Sequence, residues 1–143
     1  MRITGLILFC AISLSFNQEQ AILEVEISQV RNSHGVILLS VYSGSEEYPY
    51  KPFRTIVVNK DSLHAGKLRT TVTGLIPGTY AMGLLDDENQ SGGMEYNLLG
   101  VPLEGFGFAN NAKALFSRPD YGRCLFTVRP GMNRLQITVR YKR

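Results

Sequence analysis

The densest chemistry in this chain lies in Asp87-Glu88-Asn89-Gln90-Ser91-Gly92-Gly93-Met94-Glu95. Oxygen-bearing side chains at its first, third and fifth positions, a glycine at the sixth and a carboxylate at the ninth follow the front half of a calcium loop. Alternate residues of a curling loop point inward and glycine permits the sharp turn, so Asp87, Asn89, Ser91 and Glu95 are the candidate metal ligands. The pattern stops short, because Leu98 stands where a bidentate glutamate would close the site. The plain alternative is a solvated acidic hairpin tip whose Asp, Asn and Gly serve turn geometry. No cofactor other than calcium is implied.

A second constellation follows it. Glu104, Phe106, Phe108, Asn110 and Asn111 are the candidate ligand-binding residues, with Asp120 and Tyr121 nearby. Aromatic rings beside amides and carboxylates can stack on sugar faces and hydrogen-bond their hydroxyls, which points to a glycan or protein partner. The same residue types also pin a long loop, aromatics into the core and asparagines onto backbone. Tyr48-Pro49-Tyr50-Lys51-Pro52-Phe53, a rigid aromatic loop, joins this surface if the fold brings the ends together.

Catalysis finds less support. Asp87 and Glu104 are a conceivable acid and base for a glycoside, but no phosphate loop, zinc spacing or nucleophile elbow is present. Cys124 lacks an obvious base, since the only histidines, His34 and His64, sit in turn contexts. It reads as a buried structural thiol on the same alternating face as Phe126 and Val128. The expectation is a protein that is not an enzyme and has no catalytic residues.

These groups need a frame. Hydrophobic residues at 44% against 19% charged describe a chain that folds, and 143 residues suffice for one domain with its own core. The formal charge of +3 is carried by scattered basic residues, so the dense basic face of a nucleic-acid binder is missing and no nucleic-acid partner is expected. Met1-Arg2 precedes an apolar run from Ile3 to Phe16, with small residues at Ser13 and Ser15. That is the pattern of a secretory signal peptide over residues 1–17. The run is shorter than the roughly 20 residues that span a bilayer, so the mature chain is expected to be exported, periplasmic or extracellular, without an integral membrane segment. Cys10 would suit a lipoprotein, but the bulky Phe9 before it does not. Without Cys10, Cys124 has no disulfide partner and the fold must rest on packing.

Residues 18–143 read as a single all-β domain. Leu23, Val25 and Ile27 alternate with polar neighbours, as do Leu135, Ile137, Val139 and Tyr141 near the other end. Between them come 36–42, 53–59, 68–73, 79–85 and 123–129. Asn32-Ser33-His34-Gly35, His64-Ala65-Gly66, Pro77-Gly78 and Pro130-Gly131 mark turns. Seven short strands of this kind suit an antiparallel, immunoglobulin-like (prealbumin-like) β-sandwich, with a closed barrel as the alternative. In Leu75-Ile76-Pro77-Gly78-Thr79-Tyr80, a tyrosine enters a strand after a Pro-Gly turn. At such a corner it buries its ring and sends its hydroxyl back to the turn. Residues 86–121 break the alternation. Loops of that length are usually functional or disordered, and the large apolar groups Tyr96, Leu98, Leu99, Val101, Phe106, Phe108, Leu115 and Phe116 favour an ordered, packed excursion.

The Leu75-x-Pro77-Gly78-x-Tyr80 pattern is similar to that of collagen-binding B-type and carboxypeptidase-regulatory-like domains. Together with Asp87-Glu88-Asn89 and the block from Gly100 to Asn111, it resembles the bacterial secreted family catalogued as domain of unknown function number 2141. The resemblance implies export and an immunoglobulin- or prealbumin-like sandwich, and it implies no activity. The family usually carries a histidine before its Asp-x-Asn; here the position holds Asp86. The functional expectation is a non-catalytic envelope or secreted module presenting its acidic and aromatic loop to a glycan or protein partner. The alternatives are a calcium-stabilised structural or adhesive domain and a carbohydrate-active hydrolase.

Overall fold

A computed structural model describes residues 20–113 and 118–142. The expected leader over residues 1–17 lies outside them, as do Leu115 and Phe116. Every regular element described, apart from two short 3-10 turns, is a strand, and no helix is long and apolar enough to cross a membrane.

Strand β1 (Ala21–Ser28) follows its alternation without a break, and Ala21, Leu23, Val25 and Ile27 are all buried. It pairs antiparallel with β4 (Leu68–Leu75) and parallel with β8 (Gly131–Thr138), making a three-stranded sheet in the order β4-β1-β8. The second sheet runs β3 (Arg54–Asn59), β2 (Val36–Tyr42), β5 (Gly78–Asp87), β6 (Gly105–Phe108). β7 (Leu125–Val128) shares an edge of β5 with β6, facing Gly78–Ala81 where β6 faces Gly83–Asp86. The inner faces meet in one core, where Val25 and Ile27 of β1 and Ile137 of β8 lie with Ile37 and Leu39 of β2 and Met82 of β5. Each such fully buried side chain contributes about 1.5–3 kcal/mol.

The sandwich expected from the sequence is therefore present, with two corrections. There are eight strands among the described residues, not seven, and the β1–β8 pairing is parallel. The additional strand is β6. Its Gly-Phe-Gly-Phe sequence is short and places glycines on the inward face, so no inward apolar residues mark it as a core strand. The corner tyrosine behaves as expected: Tyr80 is buried and its hydroxyl donates to the Ile76 carbonyl at 2.9 Å.

The sheets are also joined by polar contacts at one end. β6 bonds to the chain just beyond β8, Phe106 N to Arg140 O at 3.0 Å and Arg140 N to Phe106 O at 2.8 Å. Close by, Lys60 and Asp86 form an ion pair whose side chains are 1% and 0% exposed. Lys60 Nζ also donates to the His34 carbonyl at 2.5 Å, and the Tyr141 hydroxyl donates to Asp86 Oδ2 at 2.5 Å. Burial, helped by that bond, pushes the Tyr141 phenol well above its usual range. The Tyr141 oxygen in turn accepts the Arg31 backbone N–H at 3.0 Å, while the Arg31 guanidinium lies 4.4 Å from the Tyr141 ring centre and grips Glu88 at 2.5 and 2.9 Å. Lys60, Asp86 and Glu88 belong to the five-stranded side; Arg31 and Tyr141 leave the other sheet. Asp86, at the position where the resemblance leads one to expect histidine, is thus a buried structural anion.

A buried charge that loses its partner keeps its desolvation cost. Lys60→Met is expected to destabilise the protein by about 3–5 kcal/mol in urea unfolding, and Lys60→Met combined with Asp86→Leu to recover part of that loss. A cost below about 1 kcal/mol for the single variant would show that the pair is not desolvated.

Candidate functional site

In an ordinary sandwich strand the larger side chains face inward. β6 does the opposite, because it lies too close to β8. A Cβ on Gly107 would sit 2.6 Å from Ile137 Cγ2 and 2.9 Å from the Thr138 carbonyl, and one on Gly105 would sit 2.6 Å from Val139 Cγ1. Only glycine fits on that face, so Phe106 and Phe108 take the outer face of the five-stranded sheet. There they belong to a second apolar cluster with Tyr42, Ala81, Ala112 and Cys124, against which Tyr48, Met94 and Tyr121 pack.

Beside this cluster the outer face carries a groove of about 530 Å³, within the range of small-molecule sites. Its floor is Leu38 and Ser40 of β2, Gly83 and Leu85 of β5, and the two phenylalanines of β6. One wall is the β2–β3 connection, with Tyr48, Pro49, Tyr50 and Pro52; the other is the β5–β6 connection, with Met94, Tyr96, Val101 and Pro102. The two aromatic loops that lie far apart in the sequence do meet. Hydroxyl bonds from Tyr42 to Pro49 O (2.9 Å) and from Tyr48 to Pro119 O (2.8 Å) fix the first wall. The Tyr42 and Tyr48 rings meet edge to face at 5.0 Å. Two charged side chains line the groove. Lys142 Nζ lies 5.9 Å from the Phe106 ring centre and Arg118 Cζ 5.9 Å from that of Tyr50, within cation–π reach.

Of the five expected ligand residues, only Phe106 and Phe108 line this groove. Asn110 and Asn111 both adopt left-handed backbone and serve as pins. Asn110 Nδ2 donates to Leu125 O at 2.5 Å, and Asn111 Oδ1 accepts the Thr138 N–H at 2.8 Å. Glu104 is 4% exposed and accepts the Glu88 N–H at 3.1 Å, while its Oε2 is buried without a hydrogen-bond partner. Burial, with Asp87 close by, raises its pKa. Tyr121 supports Tyr48 at a ring separation of 5.8 Å. The expectation that the excursion's apolar groups pack holds for Phe106 and Phe108 and fails at the tip of the loop, where Leu98 and Leu99 are fully or almost fully exposed.

The acidic loop is held by its own backbone. Asp87 is 1% exposed; its two oxygens accept the N–H groups of Ser91 and Gly92, each at 2.9 Å. Asn89 Oδ1 also accepts from Ser91 N, Asn89 Nδ2 donates to Glu95 at 2.6 Å, and Ser91 Oγ donates to the Gly93 carbonyl. The four candidate calcium ligands are thus engaged with loop donors and acceptors. Among the described residues, no group of three or more His, Cys, Asp or Glu side chains is arranged to hold a metal ion.

Cys124 is buried, as the sequence suggested, but within the second cluster and apart from the main-core neighbours of Phe126 and Val128. Its sulfur lies 3.7 Å from the Tyr48 hydroxyl, and burial pushes the thiol up, away from the nucleophilic thiolate. Both histidines are exposed.

A family model described as an uncharacterized protein conserved in bacteria (DUF2141) matches residues 25–136. The chain belongs to this family. The match runs from within β1 to within β8 and includes the floor and both walls of the groove. No curated protein and no solved structure matches the chain.

The groove-lining residues outside the two aromatic stretches (Leu38, Gly83, Arg118 and Lys142) carry no sequence signal of their own. The Gly-Phe-Gly-Phe run did carry one: alternation of glycine and aromatic residues marks a strand with one face pressed against backbone.

Two outcomes are expected in this DUF2141 domain. Asp87→Ala should destabilise it by about 2–3 kcal/mol through the loss of charge-assisted bonds. The parent melting temperature should be the same in millimolar calcium and in chelator; a calcium-dependent rise abolished by Asp87→Ala would establish the metal-loop reading instead. For Glu104, the raised folded-state pKa means that folding favours the protonated carboxyl. The stability this group gives is complete below the ordinary glutamate range and is lost as pH rises through the raised value. Glu104→Gln should therefore melt higher than the parent at neutral pH, with the difference shrinking toward pH 4. An unchanged difference across that interval would refute the assignment.

Proposed function

We propose that this protein is an exported, non-catalytic binding module of the bacterial envelope, and that its site is the groove on the outer face of the five-stranded sheet. The observation that carries the reading is β6. Its glycines are committed to contact with β8, and its phenylalanines form a preformed aromatic floor between two loops that are themselves fixed by hydrogen bonds. Preorganised aromatic surface binds with little further ordering cost. The apolar run from Ile3 to Phe16 supports export. The two-sheet architecture and the Tyr80 corner support the finer immunoglobulin- or prealbumin-like description.

A catalytic reading gains nothing from the groove, whose lining contains no Asp, Glu, His or Cys side chain. The partner expected from the sequence is a glycan or a protein segment. A calcium-stabilised structural or adhesive role is the competing account, and it depends on the calcium response of the melting curve.

Gly83 offers a test that spares the fold. A Cβ there meets only the Phe108 ring, at 3.7 Å, in ordinary contact, so Gly83→Leu should fill the groove without strain. Ligands found on an oligosaccharide array should lose at least about tenfold in affinity, roughly 1.4 kcal/mol, while the variant unfolds like the parent. Undiminished binding to Gly83→Leu would remove the groove as the site.

A further inference from the structure

We propose that the tip of the β5–β6 connection, Leu98-Leu99, is a membrane-contact element that enters the interface of a phospholipid bilayer. The proposal is independent of the groove's ligand and gives the same connection a second role.

Residues 95–103 form a short hairpin of their own. Leu103 N donates to Glu95 O at 2.9 Å, Tyr96 and Pro102 pair as an antiparallel bridge, and Asn97 N donates to Val101 O at 3.0 Å. At the turn, Gly100 N donates to Asn97 O at 2.9 Å, and Asn97 Oδ1 holds the N–H groups of Leu99 and Val101. The turn is tied from both sides, so Leu98 and Leu99 are presented on a fixed apex. Of the nine large apolar side chains exposed among the described residues, four (Tyr96, Leu98, Leu99 and Leu103) belong to this hairpin. Apolar surface gathered in one place marks an interaction site.

Three properties select lipid as the occupant. The first is charge. Tyr96-Asn97-Leu98-Leu99-Gly100-Val101-Pro102-Leu103 contains no Asp, Glu, Lys, Arg or His, and a charged tip would resist entry into hydrocarbon. Glu95 is held at the base by Asn89 Nδ2, and Glu104 beyond the other end is buried.

The second is the backbone. Inside a bilayer, polar backbone groups must find partners within the protein. Residues 97–103 carry six N–H groups, Pro102 having none, and five of them (Asn97, Leu99, Gly100, Val101 and Leu103) are bonded within the hairpin. A tip that stays in water has no such need, because water bonds its free N–H groups.

The third is size. A stable protein interface takes about 20–30 residues from each side, whereas this apex is a single narrow turn. A bilayer asks for no complementary pocket, and a projecting pair of leucines reaches the boundary of headgroups and acyl chains, about 5–10 Å deep. Tyrosine collects at the headgroup level, and Tyr96 stands on the hairpin stem. Tyr96, Val101 and Pro102 also line the groove, so insertion holds the groove beside the membrane surface.

The chain contains no tryptophan, so Leu98→Trp places a single reporter at the apex. Met132→Trp places one at an exposed position of β8, in the other sheet. Each full-length variant is mixed with phosphatidylcholine vesicles, plain or containing phosphatidylglycerol, whose acyl chains are brominated near the headgroups. The apex indole should shift to shorter wavelength and be quenched on both vesicle types, at low and at high salt. The β8 indole should do neither. Adding Leu99→Asp to Leu98→Trp should weaken partition of the apex at least about tenfold, while thermal unfolding stays that of the parent. The local readout separates the apex from the run Ile3 to Phe16, which would carry the chain to lipid without moving the apex indole.

An apex indole that neither shifts nor is quenched overturns the proposal. Equal quenching of both indoles does so too, as does partition that Leu99→Asp leaves unchanged. Quenching confined to anionic vesicles at low salt replaces insertion by charge attraction. A shift without vesicles that grows with protein concentration, together with a dimer in sedimentation, assigns the tip to a second copy instead. None of these results touches the groove, which Gly83→Leu tests separately.

Discussion

The close approach of β6 to β8 is the constraint from which the outer face of this protein follows. With Ile137, Val139 and the Thr138 carbonyl filling the space where side chains would go, Gly105 and Gly107 are the residues that fit. Period two then forces Phe106 and Phe108 outward. Two rings of that size cannot remain bare without cost, and the chain covers them in part. Ala112 and Cys124 pack with them on one side, Tyr48 and Met94 lean in from the two flanking connections, and the uncovered remainder is the groove. The second apolar cluster and the candidate site thus have the same origin.

A second ordering principle is the placement of negative charge. The run from Asp86 to Glu88 and the later Glu104 look in sequence like a solvent-facing acidic tip. Three of the four, Asp86, Asp87 and Glu104, are buried. Each is matched to a different donor: an ammonium and a phenol for Asp86, two backbone amides for Asp87, a guanidinium for Glu88, one backbone amide for Glu104. Burial raises the value of these contacts, because a displaced carboxylate here would remain desolvated. The arrangement fixes the entry and exit of the β5–β6 connection, which carries one groove wall. The lining combines aromatic and aliphatic carbon with hydroxyls such as those of Ser40 and Thr55 and with Arg118 and Lys142.

The loop tip makes the contrast plain. Asn97 Oδ1 accepts the N–H groups of Leu99 and Val101, making a tight local turn. Leu98 and Leu99 nonetheless project into solvent. Local backbone geometry decided this turn, and hydrophobicity did not.

Much of the frame was legible from residue order alone. The alternation in β1, the turns at His64-Ala65-Gly66 and Pro77-Gly78, and the tyrosine after the latter are local patterns, and local sterics and amphipathicity decide them. They yield an all-β sandwich, its corner bond and most strand positions. The extra strand was missed because its inward residues are glycines, so hydrophobic period could not reveal it. Asn110 and Asn111 were read for their chemistry, but their left-handed backbone and bonds to Leu125 and Thr138 make them pins. Pairing of the two aromatic loops, the inward turn of Asp86 onto Lys60, and the meeting of Arg118 and Lys142 with Tyr50 and Phe106 join residues that stand far apart along the chain. Those relations depend on which strands lie side by side and how closely two sheets approach. A linear sequence specifies side-chain chemistry and local period, and only the packed tertiary structure decides which side chains share a surface.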